Sequence, residues 1–312
     1  MDRHGADRAA AQPADAGMVL SRGTTLNPYR HPQRDFFVAD ILDAVPKGDL
    51  ASMEHPLFAL KAGDHRVRRY DYKGHSVEIQ PGAKGMATIY DKDIWIYCVS
   101  QLVEAMNRGR TDPGPTVRFT AYGFLVATNR GTSGDSYARL GDALERLRGT
   151  SIITNIETAE RRERNGFGLI DSFRIVERGA VDRRMAAVSV TLPEWLYRSV
   201  QTSRVLTLSR DYFRIRKALD RRIYELVRKH CGRKAKWKVS LAILHAKSGS
   251  TASIPKFRMN VKALAASGGL PDYRAYWNQD DDSVTFYSRG TDGAKAQIQD
   301  AVHTRTRKHR QK

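Results

Sequence analysis

Three hundred and twelve residues, 41% hydrophobic and 28% charged, suffice for one large domain or two ordinary ones. Lys+Arg 53 against Asp+Glu 34 leaves +19, a surplus that calls for a polyanionic partner, most often nucleic acid. No apolar run of roughly twenty residues occurs, which argues against a helical membrane protein. Two cysteines, Cys98 and Cys231, are too few for a disulfide framework or a zinc ribbon.

Met1 to Ala16 holds charged and small residues without an apolar signal region, so a cytoplasmic protein is expected. Residues 1–34 lack periodicity and read as disordered. Order is predicted to begin with a short helix near Asp35 in which Phe37, Ile41 and Leu42 share a face. His65 to Tyr72 and Ser76 to Gln80 read as strands of a small sheet. Asp91 caps a helix with the stripe Ile94, Tyr97, Cys98, Leu102 and Ala105. A strand follows at Val117 to Thr120, then helices at Ala121 to Ala127 and Asp135 to Arg148. Strands Ser151 to Thr158 and Phe167 to Glu177 then make a hairpin with an Asn165-Gly166 turn.

Helix, strand, helix, turn, helix and hairpin is the order of a winged helix. It recurs. A long helix is predicted from Ser209 to Gly232, then a strand at Trp237 to Val239 and a helix capped by Ser240. Next come a polar turn at Ser248 to Ser253, a helix from Pro255 to Ser267, and strands Tyr273 to Asn278 and Ser283 to Arg289. The fold class expected is α+β, two tandem winged helices with disordered ends. The divisions are 1–34, an N-terminal winged helix over 35–202, a C-terminal one over 203–290, and a basic tail over 291–312.

Between Arg204 and Lys238 stand thirteen Lys/Arg and three Asp/Glu, a local surplus of ten. Projected at 100° per residue on one continuous helix, Arg210, Arg214, Lys217, Arg221 and Arg228 fall opposite the apolar stripe, as a phosphate-binding face would. The helix from Pro255 to Ser267 carries no acid. Its outward Lys256, Met259 and Lys262, with Arg258 on the flank, suit base edges in a major groove. It is expected to be the main reader. On the helix from Asp135 to Arg148, Arg139 and Arg146 each follow an Asp by four residues, so intrahelical pairing competes with DNA contact. Arg161, Arg162 and Arg164 at the first hairpin tip could meet phosphates or a minor groove. Asp280 to Asp282 at the second reads as a solvated turn facing away from DNA.

The chemistry of an enzyme is not found. No G-x-x-x-x-G-K-[ST] occurs, and the nine histidines are scattered rather than paired on a strand for a metal. No catalytic residue, cofactor or metal is assigned.

Several strings are specific. They include Met53-Glu54-His55-Pro56-Leu57-Phe58, Gly85-Met86-Ala87-Thr88-Ile89-Tyr90-Asp91-Lys92-Asp93 and Leu144-Glu145-Arg146-Leu147-Arg148-Gly149-Thr150. Thr191-Leu192-Pro193-Glu194-Trp195-Leu196 is a fourth. The densest are Asp211-Tyr212-Phe213-Arg214-Ile215-Arg216-Lys217 and Tyr224-Glu225-Leu226-Val227-Arg228-Lys229-His230-Cys231-Gly232. From Met53 to Arg289 the chain resembles the plasmid replication initiator protein A family. That resemblance implies tandem winged helices, binding of double-stranded DNA at direct repeats of a plasmid origin, and recruitment of host initiator and replicative helicase. It also implies dimerisation through the first domain, with dimers repressing and monomers initiating. The alternative is a transcriptional repressor of the same fold, with a nickase or primase a distant third.

Overall fold

The computed structural model describes residues 36–39, 56–72, 75–111, 113–157, 162–177, 185–201, 205–232 and 234–310. The first core is built on helix α1 (Lys92–Asn107), whose Ile94, Trp95, Cys98, Val99 and Leu102 are buried. Strand β4 (Thr116–Thr120) alternates outward Thr116, Arg118 and Thr120 with inward Val117 and Phe119. Helix α2 (Ala121–Ala127) starts where the Thr120 hydroxyl accepts from the Gly123 amide. Helix α3 (Gly134–Gly149) buries Leu140, Ala143, Leu144 and Leu147.

Here the sheet topology departs from expectation. Strands β5 (Ser151–Glu157) and β6 (Arg162–Gly168) do pair, but as the edge of a four-stranded sheet with β2 (Arg68–Tyr72) and β3 (His75–Gln80), in the order β2-β3-β5-β6. The strand predicted over Phe167 to Glu177 breaks at Leu169 and Ile170, both fully buried, where the chain crosses to another sheet. Beyond the break, β7 (Ser172–Glu177) pairs with β8 (Met185–Thr191), and the second sheet runs β4-β8-β7. The hairpin completing the first unit is therefore β7–β8, with β5–β6 inserted ahead of it.

Helix α4 (Glu194–Gln201) leads to β9 (Val205–Leu208), which pairs antiparallel with β1 (Phe36–Ala39). The segment predicted as a helix near Asp35 is thus a strand where it is described, its continuous apolar run Phe36–Ala39 serving a two-stranded ladder. Ile41 and Leu42 lie outside the described residues.

The helix predicted from Ser209 is also divided. A single 3-10 turn at Tyr212–Arg214 is followed by extended backbone at Ile215, and helix α5 runs only over Ala218–His230. Burial decides this break: Tyr212, Phe213 and Ile215, all at 2% exposure or less, enter the core together, which one helical face could not achieve. Strand β10 (Lys236–Ser240), helix α6 (Leu241–Ser248), helix α7 (Ile254–Ser267) and strands β11 (Tyr273–Asn278) and β12 (Ser283–Ser288) complete a sheet of order β10-β12-β11. In both units the strand between the helices lies beside the second strand of the hairpin. The stretch read as a disordered tail is helix α8 (Thr291–Arg310), held where Asp300 accepts from Lys236 Nζ and the Tyr287 hydroxyl, each at 2.7 Å.

Buried residues gather in two clusters, one from Leu57 to Val200 and one over 208–286 that also takes Ile96 from α1. The α6–α7 turn touches the first cluster's chain. Gly249, at φ +67°, sits so near Pro56 that a Cβ there would lie 2.5 Å from its side chain.

Candidate nucleic-acid interface

Helix α7 presents the surface that the sequence indicated. Phe257, Val261 and Leu264 anchor it in the second core. Lys256, Met259, Lys262 and Ala263 are exposed, with Met259 half uncovered at 51%. An exposed methionine beside two lysines, on a helix without acids, leaves apolar and cationic groups free for a groove. Ser240 begins α6 by accepting from the Ile243 amide at 3.4 Å, and Gly249 ends it in the left-handed region.

Arg258 is not free. Its Nε and Nη2 donate to Asp282 at 2.8 and 2.9 Å, and this bond holds the Asp282 carboxyl below its ordinary value. Asp281 likewise pairs with Lys238 on β10 and accepts from the Ser283 hydroxyl at 2.6 Å. The acidic turn is thus folded back on α7 and β10 as a clamp, where the sequence suggested a solvated tip.

The continuous basic stripe does not form. Arg214 and Arg221 are buried at 7% and 4% exposure, while Arg210 and Lys217 are exposed outside α5. Arg214 Nη1 donates to Asp211 at 2.8 Å. Arg228, half-buried, donates to the Thr207 carbonyl at 2.6 Å. Helical projection failed because it ran through the extended backbone at Ile215. Arg221 instead reaches Asp93 on α1 at 2.7 Å, donates to the Ile215 and Phe213 carbonyls, and lies over the rings of Tyr90 and Tyr212. Burial disfavours its charge, yet Asp93 more than offsets this and the guanidinium is held charged.

Beside that pair, Glu225 accepts from Lys92 Nζ at 2.8 Å and from the Tyr212 hydroxyl at 2.7 Å. Burial would raise the Glu225 carboxyl, but Lys92 and Arg222 hold it below its ordinary value. Asp93 also takes Arg130 at 2.7 Å. The ion pairs Arg221–Asp93 and Lys92–Glu225 therefore fasten α5 to α1.

In the first unit the expected i,i+4 pairs are replaced. Arg146 bonds Asp91 bidentately at 2.7 and 2.8 Å, and Asp91 also accepts from the Thr88 amide. Asp142 and Glu145 share Lys84 instead, at 2.7 and 2.8 Å. Arg139 is exposed and has no bonded partner among the described residues. Arg164 is exposed on β6; Arg162 begins that strand, its side chain outside the described set, and Arg161 lies outside it entirely. Arg162 and Arg164 belong to the inserted hairpin. Sequence reasoning passed over Arg118 and Arg174, which flank Ser189 in one outward row across β4, β8 and β7. The alternation of β4 was the signal that could have found Arg118.

The model of the family described as Replication initiator protein A matches residues 47–275. This chain belongs to the replication initiator protein A family. A member-like protein of Wigglesworthia glossinidia brevipalpis, which bears a replication-protein name, is 42% identical over 258 residues, covering 82% of this chain and 94% of that one. The fold is similar to the crystal structure of domains 2 and 3 of RctB in selenomethionine form. That likeness has a TM-score of 0.58 at 10% identity over 76% of this chain and 96% of the other. A second RctB structure, also of domains 2 and 3, matches with a TM-score of 0.51 over 79% and 99%. The lysines of α7 are thus exposed, whereas Arg221 of α5 is turned into the interior. No described helix is long and apolar enough to cross a membrane.

Proposed function

We propose that this initiator binds double-stranded DNA at direct repeats of a plasmid origin, with α7 in the major groove, and then recruits the host initiator and replicative helicase. The observation that carries the reading is the exposed Lys256, Met259, Lys262, Ala263 face of α7, raised on a rigid core and free of acids on its own helix. Both units are read as winged helices, supported by the shared order of helix, strand, helix, helix and hairpin and by the matching sheet orders β4-β8-β7 and β10-β12-β11. Self-association is assigned to the first unit. Lys84 bonds both Asp142 and Glu145 of α3, which lowers the like-charge repulsion that a second copy would meet there.

The protein opens the origin by binding and recruitment, in the cytoplasm, with no catalysis of its own. A nuclease footprint on the neighbouring plasmid DNA tests the reading. Protection of several tandem repeats is expected, whereas one palindrome over a promoter would mark a repressor. Incubated with Mg²⁺, a supercoiled origin plasmid is expected to stay unnicked.

A further inference from the structure

The C-terminal half of α7 and the edge of β11 line a cleft of about 510 Å³ that shares only Lys262 with the reading face. Its lining includes Lys262, Arg274, Arg289, Tyr276 and Trp277 and contains no carboxylate. Arg274 is exposed and makes no hydrogen bond or ion pair among the described residues. Arg289 is oriented by the Gly268 and Leu270 carbonyls, at 2.7 and 3.3 Å, which fix the group without neutralising it. Burial and then the charge of Arg274 lower the Arg289 pKa, so the two cations crowd each other. Asp272 opposes this only in part, its carboxylate accepting from the Tyr224 hydroxyl at 3.1 Å. The Trp277 indole Nε1 is buried with no acceptor, and Lys262 Nζ lies 5.1 Å from the centre of its ring.

Like charges held together cost free energy, and an anion in the cleft relieves that cost. We propose that this cleft is an anion site that takes a phosphate group, gripped by Arg274 and Arg289 with Lys262 at its rim. Guanidinium forks match phosphate oxygens bidentately, which a lysine cluster alone would not do. The site goes beyond base reading by α7 and stands without it. Because Lys262 belongs to both surfaces, a backbone phosphate seated here would also fix how far α7 slides along a groove.

Two sources share this chemistry, a DNA backbone and free phosphate or nucleotide. The test follows the Trp277 indole N–H resonance of the ¹⁵N-labelled full chain, assigned with Trp277→Phe. It is titrated with inorganic phosphate against chloride at equal ionic strength, and separately with an origin duplex. A saturable shift with phosphate, or one on adding duplex, is expected, and it should need about tenfold more ligand in Arg274→Gln, the loss of one charge-assisted bond. A shift with the duplex alone assigns the backbone as source; a shift with phosphate alone assigns a free ligand. If neither moves the resonance, or if Arg274→Gln responds like the parent, the site is overturned. Loss of footprinting with the phosphate response intact would sink only the origin-binding reading.

Discussion

Arg221 Nη1 lies 2.7 Å from Oδ1 and 2.9 Å from Oδ2 of Asp93, joining α5 to α1 with both side chains buried. A cation so placed is structural. Removing it leaves Asp93 in a low-dielectric interior with only Arg130 opposite, a change that typically costs about 3–5 kcal/mol.

Arg221→Ala is therefore expected to lower the urea midpoint strongly, and Arg221→Lys to recover little, because an ammonium cannot serve Asp93 and two carbonyls at once. Equilibrium unfolding checks this. A wild-type midpoint combined with weakened DNA binding would return Arg221 to the surface role its sequence position suggested.

Asp220 gives a pH dependence. Burial pushes its carboxyl from 3.8 up to about 6, Lys217 opposing, and Oδ2 is buried without a partner. An acid with a raised folded pKa favours the folded state while protonated. Its penalty is absent below pH 3.8, grows as pH rises, and is complete above about 6. Asp220→Asn should then stabilise the protein by about 1–3 kcal/mol at neutral pH and by nothing near pH 3.5. Urea unfolding across that range would contradict the account if the two stability curves ran parallel.

Arg258 is held by Asp282, whose φ of +46° asparagine also tolerates. In Asp282→Asn the guanidinium is released. Binding to random duplex should tighten, and the slope of log K against log[salt] should steepen by about one unit. An unchanged slope would show that Arg258 points away from the phosphates even when freed.

Local signals read the second unit well. Ser240, the polar turn at Ser248 to Ser253 and the Phe257, Val261, Leu264 spacing placed α6 and α7, and the Asp280 to Asp282 turn placed β11 and β12. Neighbours distant in sequence did not show. Besides β6, β5 pairs with β3, some seventy residues back, a neighbour that the local hairpin reading could not show. No glycine or proline marks the break at Ile215, and periodicity alone carried the stripe across it. Charge density told how many cations there are but not that Asp93 claims Arg221 and Glu225 claims Arg222. Asp300, anchoring α8 on Lys236 and Tyr287, was hidden among the basic residues around it.

The central claim is that α7 reads sequence, and competition binding tests it most directly. Lys256→Ala and Lys262→Ala, each paired with origin duplexes altered one base pair at a time, are compared with Arg139→Ala on α3. The account expects each lysine variant to lose about 1–3 kcal/mol and to stop discriminating at particular base pairs, while Arg139→Ala keeps the wild-type pattern of preference. If Arg139→Ala loses base discrimination and both lysine variants retain it, the reading helix lies in the first unit and the claim fails.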